Sequence, residues 1–105
     1  MFQLRSSEVE KHLEPPRIAD RYDVLDTLGQ GGMGSVFRVV DRRLGRELAL
    51  KRLSETAAAD ATIAELFERE FHTLSELAHP SIIGVYDYGI DGSLPYYTME
   101  LLRGE

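Results

Sequence analysis

Four glycines fall within six residues, Gly29-Gln30-Gly31-Gly32-Met33-Gly34. Glycine loses more backbone freedom on folding than any other residue, so this cluster predicts a break in regular structure. Its flanks say which kind. Tyr22–Leu28 mixes apolar and polar residues as a half-buried strand does, and Ser35–Val40 is rich in the β-branched and aromatic residues of a second strand. That context speaks against two ways of holding a phosphate, although a dinucleotide-binding fold stays open as a minor alternative that strongly helical content would favour. A P-loop requires a lysine directly after the last glycine, and here Ser35-Val36 follows Gly34. A dinucleotide-binding turn requires a helix after the glycines, with its N-terminus facing the pyrophosphate. The remaining design is a glycine flap between two strands, whose backbone amides can lie close over phosphates. With so few side chains to anchor it, the flap is expected to be mobile.

The period-two pattern continues beyond the flap. Asp41–Arg46 reads as a charged turn, with Arg42, Arg43 and Arg46 at a solvated tip, and Glu47–Leu53 as a third strand. The period then becomes 3.6. Ile63, Leu66, Phe67, Phe71, Leu74 and Leu77 share one face of a helix over about 60–78, capped by Asp60 and closed by His79-Pro80. Two further strands are expected near Ile82–Tyr88 and Tyr96–Leu101, joined by Gly89–Pro95 with its Asp91-Gly92 turn signal. The order β-β-β-α-β-β predicts an α+β fold: a five-stranded, mostly antiparallel sheet with one packed helix. Residues 1–21 read as a polar extension. Ser7 and Glu10 have capping-box spacing for a short helical segment that Pro15-Pro16 ends, and the folded domain is expected over 22–105.

Composition narrows the function classes. A chain of 105 residues supports one modest core. It has no apolar run near the ~18 residues of a membrane span, and its N-terminus carries charges where a secretory signal is apolar. Without cysteine it forms no disulfide and no thiolate metal site, which fits a reducing, cytoplasmic setting. Residues 21–53 carry seven cations against four anions, whereas residues 54–105 carry two against ten. No basic stripe with interleaved aromatics speaks for nucleic acid. The cationic third of the chain is also its glycine-rich third, which points to a small anionic ligand.

Two charges stand out against that background. Lys51 lies on the Ala49–Leu53 face of a largely apolar strand, and it is the only lysine in the folded part. Glu70 sits on the apolar helix face, one turn from Phe67 and Leu74. A carboxylate there needs a cationic partner or a cleft. A Lys51–Glu70 pair accounts for both, whereas Glu65, Glu68 and Glu76 can face water.

From Tyr22 to Glu105 the chain resembles the N-terminal lobe of the protein kinase family, with the motifs in the family's order. Leu28-Gly-Gln-Gly-Gly-Met-Gly-Ser-Val36 is similar to the glycine-rich loop, and Ala49-Leu50-Lys51 to the strand bearing the phosphate-binding lysine. Glu70 falls where the helix glutamate that pairs with that lysine belongs, and Tyr97–Gly104 is similar to the last strand and hinge. The Gly-Gly-Met-Gly run and His79-Pro80-Ser81-Ile82 most resemble bacterial serine/threonine kinases of eukaryotic type.

The resemblance implies ATP as ligand, under a loop formed by Gly29, Gln30, Gly31, Gly32, Met33, Gly34 and Ser35. It implies Leu28, Val36 and Ala49 around the purine, Met99 as gatekeeper, the backbone of Glu100 and Leu102 at the adenine edge, and Lys51 with Glu70 at the phosphates. The family's catalytic loop and Asp-Phe-Gly triplet do not occur in these 105 residues. The catalytic base, the Mg²⁺ ligands and the protein-substrate surface are therefore expected in a second lobe, and the chain alone is expected not to transfer phosphate. His12, His72 and His79 supply no substitute. The alternative is a non-catalytic kinase-like module that acts through protein binding or regulation.

Overall fold

The computed structural model describes residues 16–76 and 84–101. The N-terminal helical segment, the His79-Pro80 stop, Ile82–Ile83 and Leu102 lie outside them. The elements are β1 (Arg17–Ile18), β2 (Tyr22–Gly31), β3 (Gly34–Asp41), β4 (Arg46–Leu53), α1 (Glu55–Ala58), α2 (Ala61–Glu76), β5 (Val85–Asp91) and β6 (Leu94–Met99). The strands form one sheet in the order β1-β2-β3-β4-β6-β5, each pair antiparallel.

Six strands rather than five make up this sheet. The additional one, β1, comes from the stretch read as polar extension. Two residues are too few to show a period, yet Ile18 is 2% exposed and belongs to the core. Ala19 and Asp20, both at φ 53°, turn the chain from β1 into β2, and the Arg21 N–H closes the turn on the Ile18 carbonyl at 3.1 Å.

The glycine cluster also departs from expectation. It is not a break between strands: β2 runs through Gly31, with Gly29 opposite Val36, Gln30 opposite Ser35 and Gly31 opposite Gly34. Pairing to β3 outweighs glycine's poor strand propensity here, leaving Gly32-Met33 as the turn. The β5–β6 connection is likewise shorter than Gly89–Pro95. It is the two-residue turn Gly92-Ser93, with Gly92 at φ 65°.

Alternation along β4 gives the sheet two buried faces. Leu48 and Leu50 point into a cluster with Ile18, Tyr22, Val39 and Tyr96. Leu53 points to the other side, where Ala57, Phe67 and Tyr97 pack with Ile63, Phe71, Leu74, Tyr88 and Met99. Helix α2 covers this second face. Its N-terminus is capped as expected: Asp60 Oδ1 accepts from the N–H groups of Thr62 and Ile63 at 2.9 and 3.2 Å.

The first face is closed by curling of the sheet itself. Arg21, at the β1–β2 turn, makes a bidentate pair with the fully buried Asp41 at 2.9 and 2.8 Å and reaches Asp87 on β5 at 3.3 Å. The Ala19 N–H donates to Asp91, which also accepts from Arg52 of β4, each at 3.0 Å. The two ends of the strand order thus meet. Register shifts in β2 and β5 add the local bend this requires. Asp41 further accepts from the N–H groups of Arg43 and Leu44, shaping the turn whose arginine tip is exposed.

Candidate functional site

Three elements build the site: the β2–β3 hairpin above, β4 as its wall, and α2 alongside. Between them lies a pocket of about 480 Å³, lined by all the residues from Gly29 to Val36 together with Lys51 and Glu70. Arg52, Leu53, Ile63, Leu66 and Phe67 complete the lining.

The lysine and glutamate meet directly. Lys51 Nζ donates to Glu70 Oε1 at 2.9 Å, with 38% and 44% of the two side chains exposed. An ion pair this open contributes at most about 1 kcal/mol by itself, so its orientation depends on what surrounds it. Lys51 Nζ lies 5.8 Å from the Phe67 ring centre and 5.9 Å from that of Tyr97. The Tyr97 hydroxyl donates to Glu70 Oε1 as well. Partial burial pushes the Glu70 carboxyl up, but the hydrogen bonds from Tyr97 and Lys51 outweigh it, holding Glu70 below the ordinary carboxylate range. Burial, reinforced by the Glu70 carboxylate, pushes the Tyr97 hydroxyl well up.

The glycines divide by role. Gly34 sits at φ 154° where β3 meets β4, and a Cβ there would lie 2.1 Å from the Arg52 carbonyl oxygen. Only glycine fits. At Gly29, Gly31 and Gly32 a Cβ would meet no described atom within 4 Å beyond its own chain neighbours. Nothing in the described chain itself requires glycine at those three positions.

The hairpin tip is anchored, against the expectation of a loop without side-chain ties. The Ser54 N–H donates to the Met33 carbonyl at 2.9 Å and its hydroxyl to the Gly32 carbonyl at 3.0 Å. Ser54 also caps α1, accepting from the Ala57 N–H at 3.1 Å. A serine before Glu55 and an alanine run is an N-cap signature, so α1 was open to sequence reasoning. The bonds to the hairpin were not.

Most of the residues expected around a purine sit apart from the pocket. Val36, Ala49 and Met99 share one sheet face with Lys51, through the pairs Val36 with Lys51 and Ala49 with Met99. Only Val36 lines the pocket; Ala49 is buried, Leu28 is exposed beside a register shift, and Met99 packs on the helix-side core. Glu100 donates its N–H to the Gly84 carbonyl at 2.8 Å.

For a nucleotide's phosphates the residues fit: open space at three glycines, a mostly apolar enclosure and one oriented cation. For a metal ion, the described residues hold no group of three or more His, Asp or Glu placed as ligands. No described helix is long and apolar enough to cross a membrane.

Comparison with known proteins agrees with this geometry. The protein kinase domain matches residues 22–105. A probable serine/threonine-protein kinase of Streptomyces coelicolor is 41% identical over 95 residues, covering 87% of this chain. Serine/threonine-protein kinase PknB of Mycobacterium leprae is 43% identical over 94 residues, covering 86%. The chain spans only 14% and 15% of those proteins' own lengths. A crystal structure of the Mycobacterium tuberculosis PknI kinase domain superimposes with a TM-score of 0.72 at 32% identity, covering 87% of this chain and 36% of that one. Fold, motif order and relatives agree: this chain belongs to the protein kinase family.

Proposed function

We propose that residues 22–105 form the ATP-binding lobe of a serine/threonine protein kinase, which transfers the γ-phosphoryl group to Ser or Thr hydroxyls of a protein in the cytoplasm. The observation that carries this reading is the Lys51–Glu70 pair at 2.9 Å beneath the glycine hairpin, in one pocket. In this reading Lys51 binds the α- and β-phosphate oxygens, and Glu70 aims it by holding its ammonium from the helix side. Gly29, Gly31 and Gly32 let the hairpin backbone approach the phosphates and keep water from them. Leu28, Val36 and Ala49 flank the purine beside Met99, and the backbone of Glu100 and Leu102 meets its edge. The Glu100 N–H is already engaged by Gly84, so the Glu100 carbonyl is the group offered to the base. Mg²⁺, which the family uses with ATP, would offset charge on the β- and γ-phosphates. Its ligands and the catalytic base belong to the lobe beyond the hinge.

The test is Lys51→Met in the full-length kinase. Loss of phosphate transfer from labelled ATP to a protein substrate, with the fold retained, is the expected result. Undiminished transfer overturns the role given to Lys51, whereas no transfer by the wild-type protein favours a non-catalytic module that works by binding a partner.

A further inference from the structure

Resting on that reading, we propose that Tyr97 is a positioning residue for the lysine–glutamate pair: its buried hydroxyl locks Glu70, and with it α2, in the lysine-paired position. Tyr97 stands directly opposite Lys51 in the β4–β6 register, so both side chains rise from the same face of adjacent strands. Its ring is 2% exposed and packs against Phe67 and Phe71, with centroids 5.0 and 5.8 Å away. Both phenylalanines come from α2 and flank Glu70 in sequence. The ring therefore has one way to lie, and its hydroxyl ends on Glu70 Oε1, the oxygen that also receives Lys51 Nζ.

The two donors differ in what they can hold. Lys51 is a flexible chain in a half-exposed pair, which solvent screens. Tyr97 is a rigid donor whose ring is already ordered by packing, so its bond to a carboxylate forms without further loss of freedom. Swinging α2 away would also strand the hydroxyl among Leu53, Ala57 and the aromatic rings, where nothing else described accepts from it. The lysine-paired position of α2 is thus the resting state of this lobe before nucleotide arrives.

The experiment is Tyr97→Phe in the full-length kinase, a change that keeps the ring in its slot. The amides of residues 61–76 are expected to exchange about tenfold faster without nucleotide, and kcat/KM for ATP to fall about tenfold, as befits one hydrogen bond to a charged group. KM for the protein substrate should not move. Glu70→Gln, which alters the pair from its open side, should reproduce the faster exchange, and adding Tyr97→Phe to it should cost nothing more. Unchanged exchange and unchanged kcat/KM for ATP in Tyr97→Phe, or losses that simply add in the double variant, overturn the proposal. Lys51→Met separates the two readings. If it is inactive while Tyr97→Phe behaves as wild type, only the tyrosine's role fails. If it is fully active, the phosphate-site reading fails first.

Discussion

The Ser54 hydroxyl donates to the Gly32 carbonyl at 3.0 Å while accepting from the Ala57 N–H at 3.1 Å, so one side chain ties the glycine hairpin to the first turn of a helix. Ser54→Ala removes both bonds. It is expected to destabilise the domain by about 1 kcal/mol, the usual cost of a lost N-cap, and to raise amide exchange across Gly31–Gly34. Thermal unfolding and hydrogen exchange check the two effects separately. An intact hairpin exchange rate would mean that the Ser54 N–H bond to Met33 suffices.

Gly34 and Gly32 should respond in opposite ways to the same substitution. Gly34→Ala forces a Cβ against the Arg52 carbonyl at a φ that side chains avoid, and should destabilise by about 1–3 kcal/mol. Gly32→Ala meets open space and should leave the melting temperature almost unchanged. Its effect should appear instead as weaker ATP binding in the full-length kinase, measured by calorimetry.

Glu70→Gln should lower kcat/KM for ATP by about tenfold or more, equivalent to at least about 1.4 kcal/mol of transition-state stabilisation. Because the folded carboxyl lies below its ordinary pKa, Glu70 stays ionised throughout the neutral range. The substitution should therefore depress the pH–rate plateau without shifting an acid limb near neutrality, as steady-state assays from pH 6 to 8 would register.

Asp41 links folding to acidity. The Arg21 hydrogen bonds hold its carboxyl below the usual value of 3.8, assisted by the N–H groups of Arg43 and Leu44 and opposed by burial. A carboxyl depressed on folding contributes stability above its unfolded pKa and loses it as pH falls through the folded one. Unfolding free energy should therefore be steady above about pH 5 and decline below 3.8. Asp41→Asn should lower stability at neutral pH by about 2–3 kcal/mol, the worth of hydrogen bonds to a charged group. It should also flatten the acid decline. Denaturant titrations at pH 7 and pH 3 measure both.

Much of this architecture is legible in the sequence, because the two periodicities are clean. β-branched and aromatic residues mark β3, the shared face of Ala49, Lys51 and Leu53 marks β4, the 3.6-residue spacing of Ile63, Phe67, Phe71 and Leu74 marks α2, and Lys51 and Glu70 betray each other as opposite charges on apolar faces. What escapes is of three physical kinds. β1 has two residues and α1 four, about one period each, so neither repeats a pattern and α1 is betrayed only by its cap. The pairing of Gly29–Gly31 runs against local propensity and is decided by the partner strand. The hydroxyls of Ser54 and Tyr97 act across 22 and 27 residues, and a tyrosine in an apolar strand reads simply as core. Likewise, only folding reveals that the pocket gathers Leu66 and Phe67 under the hairpin but leaves Leu28 and Ala49 outside.

The curl of the sheet bears on where this domain starts. The family match begins at Tyr22, yet Ile18 fills the core beside Val39 and Leu48, and Ala19 and Arg21 grip Asp91 and Asp41 from the far edge. A recombinant kinase trimmed to the matched residues would keep every motif and lose the clasp that shuts the sheet. It would take Ile18 out of the cluster that holds Leu50 and Tyr96 and leave Arg52, the neighbour of Lys51, without the N-terminal contact on its partner Asp91. Gene designs and deletion series for this chain should begin upstream of Pro16, whose carbonyl already receives the Val24 N–H at 2.8 Å.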